Sequence, residues 1–275
     1  MKTFFKTIVL SDIHLGTKGS KAREVVEFLK YNRCQNLILN GDIIDGWQLS
    51  KSGTWKRKHT KFINRILKMI EDDKTSVYYL RGNHDDFLDQ ILPLRIGNLS
   101  IQRDLVYESF GKSYYIVHGD IFDSITTHLK WIAKLGDVGY TLLLWLNQRY
   151  NSYRVKRGLS YYSLSQIIKS KVKSAVNYVD NYEKQLAELA KSKKYDGVIC
   201  GHIHSPAIKK IDGISYMNSG DWVETKSALV EDENGHWDLV YYADTVTDKD
   251  EEVEVGNHFI DFYRNEEPDD LPNAV

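Results

Sequence analysis

Four short apolar runs, each stopping abruptly at a polar cluster, set the tightest limit on what this chain can fold into. Residues 4–10 run into Ser11-Asp12, 37–39 into Asn40-Gly41-Asp42, 77–80 into Arg81-Gly82-Asn83, and 198–200 into Gly201-His202. Short apolar runs of this kind, often β-branched, read as buried strands whose carboxyl ends carry a site. Helical patterns near 20–32 and 57–72 lie between them. Alternation of strand and helix argues for an α/β fold, in which ligands collect beyond the carboxyl ends of the strands. The 275 residues suffice for one large domain with a full core, or for one domain with an insertion.

After Asp120 the pattern changes. From about 124 to 192 there is no strand signal, and Leu164, Ile167, Ile168, Val172, Ala175, Val176 and Val179 recur at helical spacing. Ser163 with Gln166 resembles a capping box in front of them. Upstream, 138–146 is strongly apolar, and 149–157 is basic and aromatic. The expectation is a helical insertion, or lid, over about 124–192 within a domain spanning 1–243. Strand signals return from Tyr195 to about Tyr242, and 244–275 reads as an acidic C-terminal tail.

Global charge adds little, because 37 basic residues face 38 acidic ones and predict neither a nucleic-acid nor an acidic partner. Cys34 and Cys200 lie far apart beside apolar runs, which suits buried free thiols in a reducing compartment. The first ten residues hold no signal-peptide pattern, and the longest apolar stretch is well short of the roughly 20 residues of a membrane-spanning helix. The expectation is a cytoplasmic protein, with peripheral contact to an anionic membrane face left open by the basic run 149–157 and Lys169, Lys171 and Lys173.

The polar clusters are Ser11-Asp12-Ile13-His14, Asn40-Gly41-Asp42-Ile43-Ile44-Asp45, Gly82-Asn83-His84-Asp85, His118-Gly119-Asp120 and Gly201-His202-Ile203-His204, and they hold five of the nine histidines. In an extended segment residues i and i+2 point to one side, so Asp12 and His14 can reach one metal together, and so could His202 and His204 if their segment were extended. Asp42 is the candidate to bridge two ions through its two oxygens. Imidazole, carboxylate and amide oxygen without thiolate suit Mn, Fe or Zn. Two divalent ions against Asp12 and Asp42 leave about +2, enough to hold hydroxide and an anionic phosphoryl group. The expected cofactors are therefore two divalent metal ions, Mn first, with Fe or Zn as alternatives.

These blocks resemble the calcineurin-like metallophosphoesterases, whose pattern is D-x-H, G-D, G-N-H-D/E, H and G-H-x-H; all five occur in that order across residues 11–204. The resemblance implies a four-layer α/β/β/α sandwich. It implies one ion on Asp12, His14, Asp42 and His204 and the other on Asp42, Asn83, His118 and His202. His84 matches the residue that assists phosphoryl transfer, with Asp85 expected to orient it and raise its pKa.

Within the family the chain looks most like the UDP-2,3-diacylglucosamine hydrolases of lipid A synthesis. Asp12-Ile-His-Leu-Gly16 and Gly41-Asp-Ile-Ile-Asp45 match them, an insertion follows His118-Gly-Asp120, and Asn218-Ser-Gly-Asp-Trp-Val-Glu224 resembles their segment after G-H-x-H. The implied reaction splits a UDP-linked diacyl sugar into UMP and a lipid phosphate, with the insertion holding the acyl chains. One departure is His84, where the well-characterised branch has Arg. Arg cannot be replaced by His as a bidentate phosphate grip. Arg81, Arg154, Arg157 and Lys171 are the expected substrate contacts. The competing readings are a general phosphodiesterase or phosphatase acting on a water-soluble ester, and a non-enzymatic scaffold, against which the complete ligand set argues. A nuclease reading is disfavoured by the balanced charge, and no nucleic acid is expected as a partner.

Overall fold

The computed structural model describes residues 3–51, 53–121, 153–154, 157 and 164–242, with side chains from 178 onward in the last stretch. The chain divides into two compact units, one comprising Met1–Asp120 with Leu189–Val275 and the other Ile121–Glu188. The runs expected as strands are β1 (Thr3–Leu10), β2 (Asn32–Asn40), β3 (Ser76–Leu80) and, in the second sheet, β8 (Gly197–Cys200). The two helical patterns are α1 (Ala22–Tyr31) and α3 (Arg57–Glu71), with a short α2 (Gly46–Lys51) between them.

In the first unit β1, β2, β3 and β5 (Leu99–Gln102) run parallel. The sheet is completed by β4 (Leu94–Ile96), β11 (Ser227–Glu231) and β12 (Trp237–Tyr241), in the order β12-β11-β1-β2-β3-β5-β4. A second sheet holds β6 (Asp104–Ser109), β7 (Lys112–Val117), β8, β9 (Ala207–Ile211) and β10 (Ile214–Asn218), in the order β6-β7-β8-β10-β9, with β7, β8 and β10 parallel.

Side-chain alternation along a strand sends neighbours to opposite faces. Val9, Ile38, Leu80 and Leu229 therefore meet Tyr107, Tyr114, Ile116, Ile199 and Met217 between the sheets. Ile8, Leu10, Leu37, Leu39 and Val77 face the other way and pack with Val25 and Leu29 of α1 and Phe62, Ile66 and Met69 of α3. The result is the expected α/β sandwich, with a helical layer, a seven-stranded sheet and a five-stranded sheet in succession. A buried polar ladder also joins the sheets: the Tyr107 hydroxyl donates to Glu231 at 2.7 Å, and so accepts from Thr7 at 2.6 Å. Ser109 donates to the other Glu231 oxygen, so the buried carboxylate is satisfied.

The helical spacing that begins at Leu164 falls in α4 (Leu164–Ser192). Residues 138–146, Ser163 and the tail 244–275 lie outside the described residues. Both cysteines are free and buried, and burial pushes the Cys34 thiol up to about 12. No helix among the described residues is long and apolar enough to cross a membrane.

Candidate metal centre

Parallel pairing brings the carboxyl ends of β1, β2 and β3 to one edge, and the ends of β7 and β8 are tied to the same place. The Asn40 side chain donates to the Val117 carbonyl at 3.2 Å, the Gly201 amide to the His118 carbonyl at 3.1 Å, and the Asp12 amide to the Gly41 carbonyl at 3.0 Å. Each strand therefore delivers its polar cluster into one region.

Asp42 sits at the centre of that region. Its Oδ2 lies 3.3 Å from His118 Nε2, 3.8 Å from His14 Nε2 and 3.9 Å from His84 Nε2. Its Oδ1 accepts from the His84 amide at 2.8 Å. Asp12 Oδ1 lies 3.1 Å from His204 Nε2, and its Oδ2 accepts from the His202 amide at 2.9 Å. Asp12, His14 and His204 form one group with converging ligand atoms; Asp42, His118 and His202 form another; His14, Asp45 and His84 form a third. Asn83 is buried, and its Oδ1 has no hydrogen-bond partner among the described residues.

The electrostatics ask for cations. Burial works to raise the Asp12 and Asp42 pKa values, but histidine charges win and hold both well below the usual carboxylate range: His204 and His118 for Asp12, His118 and His14 for Asp42. Burial works to lower His118 and His204, but Asp42 and Asp12 raise the first to about 10, and Asp12 raises the second to about 9. Protons thus neutralise the buried carboxylates where a metal ion would. The orphaned Asn83 oxygen, the hard oxygen and imidazole donors and the shared carboxylate all fit divalent ions. His118 Nδ1 faces the Asn40 carbonyl at 2.9 Å, which fixes the tautomer that presents Nε2 as a ligand atom.

A family model for the calcineurin-like phosphoesterases matches residues 5–206, nearly three quarters of the chain. The chain belongs to the calcineurin-like phosphoesterases. It is a metal-dependent phosphoester hydrolase, and its family implies divalent metal ions at this site. Similar relatives include a UDP-2,3-diacylglucosamine hydrolase of Blochmanniella pennsylvanica, 27% identical over 74% of this chain and 81% of that protein. One named likewise from Stenotrophomonas maltophilia is 25% identical over 85% of this chain and 97% of its own length. Among solved structures, the E. coli phosphoesterase Yfce is a distant likeness, with 14% identity, a TM-score of 0.42, and coverage of 86% of this chain and 99% of that one.

In this phosphoesterase the local backbone differs from the extended segments expected. Asp12, His14, Asp42, His202 and His204 all have positive φ, between 50° and 68°. Asp12 and His14 converge through left-handed turns, and His202 and His204 point to different groups. Left-handed backbone costs a non-glycine residue roughly 1–2 kcal/mol, and such strain concentrates at functional sites. Two glycines make room. Gly41 has φ +79°, and a Cβ there would fall 2.4 Å from the His118 ring; a Cβ on Gly82 would fall 2.3 Å from the Asp42 amide nitrogen.

Asp85 does not orient His84. Its carboxylate instead accepts from the Ile43, Ile44 and Gly82 amides and the Tyr79 hydroxyl, bracing the Asp42 loop from beneath. Burial, and then Asp42, raises its pKa to about 7. The orienting carboxylate is Asp45, to which the motif pattern assigns no role. Its Oδ1 lies 3.0 Å from His84 Nδ1 and its Oδ2 3.2 Å from His14 Nδ1. The Asp42-Ile-Ile-Asp45 spacing was the available signal.

The loop after β10 supports the ligands from behind. Asn218 donates to the Gly201 carbonyl at 2.8 Å, Ser219 and Ser11 share a 2.7 Å hydrogen bond, and the Trp222 amide donates to the Asp12 carbonyl at 3.1 Å. Trp47, also missed, lies with its ring 4.5 Å from that of His84 and donates through Nε1 to Asp86 at 2.8 Å.

Of the expected substrate contacts, Arg81 pairs with Asp120 at 2.5 Å and Asp89 at 3.2 Å. Arg154 and Arg157 belong to the second unit, where the Arg157 guanidinium lies 4.8 Å from the Tyr153 ring centroid. The Lys171 side chain lies outside the described residues.

Proposed function

We propose that this phosphoesterase hydrolyses the pyrophosphate bond of a UDP-linked acylated sugar, releasing UMP and 2,3-diacylglucosamine 1-phosphate. The observation that carries the chemistry is the convergence of three histidine Nε2 atoms on Asp42 Oδ2 at 3.3–3.9 Å, beside the unpartnered Asn83 oxygen. The substrate is supported by the relatives, which are named UDP-2,3-diacylglucosamine hydrolases and align over most of this chain at 23–27% identity.

In this reading Asp12, His14, Asp42 and His204 hold one ion and Asp42, Asn83, His118 and His202 the other, with Mn the expected metal. When bound, such a pair supplies charge stabilisation on phosphate oxygens and a hydroxide at neutral pH. His84 protonates the leaving oxygen. Asp45 holds the His84 ring through Nδ1, so that Nε2 faces the reacting phosphate. The helical insertion of about 124–192 acts as a lid for the acyl chains, its basic residues Arg154, Arg157 and Lys171 meeting the diphosphate or anionic membrane headgroups. The test is incubation of purified protein with Mn2+ and UDP-2,3-diacylglucosamine, and the expected outcome is release of UMP. Cleavage of bis(p-nitrophenyl) phosphate without UMP release under the same conditions refutes the substrate.

A second reading is a phosphodiesterase or phosphatase acting on a water-soluble ester. It is favoured by His84, which is held by Asp45 and stands where the well-characterised branch has a phosphate-gripping Arg, and by Arg81, already matched with two carboxylates. Deleting 124–192 separates the two: loss of activity toward acylated substrates alone supports the lipid reading, and unchanged activity supports the second.

A further inference from the structure

Two of the ligands assigned to one ion, Asn83 and His118, arrive on segments far apart in sequence, and one chain of alternating charges joins those segments. Arg81 stands at the end of β3, two residues before Asn83. Its Nη1 meets Asp120, two residues after His118, at 2.5 Å, and its Nη2 meets Asp89 at 3.2 Å. Asp89 lies in the 3-10 helix Asn83–Gln90, and its other oxygen meets Arg103 at 3.0 Å. The Arg81 and Asp120 side chains are 20% and 13% exposed, so solvent screens the pair only in part. The amide of Arg81 also donates to the Gln102 carbonyl at 2.9 Å, which fixes its backbone.

We infer that Arg81 is a positioning residue for the metal centre, holding the His118 turn against the Asn83 segment through Asp120 and Asp89. This rests on the proposed assignment of Asn83 and His118 to one ion. The guanidinium suits the task, because its planar fork directs separate nitrogens at two carboxylates; a lysine offers one point charge. Asp120 ends the first of the two segments that make up its unit, immediately before the chain enters the second unit. Arg81 therefore also anchors the His118 turn at the point where the insertion begins. The consequence for catalysis is indirect: the charge of Arg81 is spent on two carboxylates, and its contribution is to ligand spacing. Partners that orient ligands in this way alter metal affinity or activity by roughly 10–100-fold when removed.

The test compares wild type with Arg81→Gln, Arg81→Lys and Asp120→Asn. Mn2+ binding is followed by equilibrium dialysis with elemental analysis, and hydrolysis of bis(p-nitrophenyl) phosphate is measured across Mn2+ concentrations. Arg81→Gln and Asp120→Asn each weaken binding of one ion by about 10–100-fold. Arg81→Lys lies between these variants and wild type. In each case added Mn2+ restores kcat while KM for the ester stays unchanged. Because Asp120 carries the wrong charge to bind a phosphate, matching behaviour of Asp120→Asn marks a positioning role. Raised KM in Arg81→Gln with unchanged Mn2+ binding, and wild-type behaviour of Asp120→Asn, overturns the inference and makes Arg81 a substrate contact. Wild type that binds no divalent ion overturns the metal-centre reading itself, and this inference falls with it. Should Arg81→Gln fail to fold, the milder Asp120→Asn carries the same distinction.

Discussion

Replacing Asp45 with Asn isolates the charge that holds two histidines. Asp45 Oδ1 lies 3.0 Å from His84 Nδ1, and its Oδ2 accepts from His14 Nδ1 at 3.2 Å. It also caps α2, because its Oδ1 accepts from the Gln48 amide at 2.8 Å. Burial works to raise its pKa, but hydrogen bonds from His14 and His84 hold it well below the usual carboxylate range, so it is ionised at neutral pH. Asn is about as good an N-cap as Asp, so the helix start survives the change. The amide offers one acceptor and one donor group where two imidazole N–H groups need acceptors. One ring must therefore change tautomer or turn away. Loss of a carboxylate behind a metal-binding imidazole costs roughly 10–100-fold, and a misaligned general acid roughly 100–10,000-fold. The expected fall in kcat/KM is about 100-fold at saturating Mn2+, or about 2.7 kcal/mol of transition-state stabilisation. The assay is hydrolysis of bis(p-nitrophenyl) phosphate, with metal content and thermal unfolding measured alongside. In a His84→Ala background the same change acts only through His14, so the remaining loss is smaller and appears in metal affinity. Activity within about threefold of wild type, with full metal content, would refute the role given to Asp45.

In the metal-free protein, His118 and His204 have pKa values raised from 6.5 to about 10 and about 9. The stability they contribute is complete below 6.5 and is lost as pH rises through those values, while metal binding must displace their protons. Mn2+ affinity therefore rises with pH above neutrality, and calorimetry in buffers of different ionisation enthalpy detects proton release; binding without release contradicts the assignment. Gly82→Ala places a Cβ 2.3 Å from the Asp42 amide nitrogen, so it should strip metal and destabilise by about 1–3 kcal/mol, read by elemental analysis and urea unfolding. Phe62→Ala, in the fully buried face of α3, should cost about 3–5 kcal/mol in the same unfolding measurement while leaving the activity of folded protein unchanged.

The sequence by itself was enough to determine four of the strands that deliver the site, β1, β2, β3 and β8, because buried parallel strands are continuous apolar runs and each stops where its polar cluster begins. The helices α1 and α3 were legible for a similar reason: their buried residues repeat at helical spacing, as Phe62, Ile66 and Met69 do. The short strands β4 and β5 were not, since they have three and four residues and no fully buried position, and β7, which leads into His118, was also missed although its last four residues are buried. Local pattern carries little information when burial comes from a neighbouring strand.

The site divides along the same line. The ligand residue types and their order are local properties, readable as Asp12, His14, Asp42, Asn83, His118, His202 and His204. Which carboxylate serves which histidine is not local. Asp85 is adjacent to His84 in sequence, yet its oxygens turn to backbone amides, while Asp45, 39 residues away, reaches the ring. Arg81 likewise looked available to a phosphate until Asp120 was brought to 2.5 Å from it. Sequence fixes which donors and charges a chain carries. Only the packing of two sheets decides which of them meet, because electrostatic and hydrogen-bond energies depend on distances that chain order does not encode.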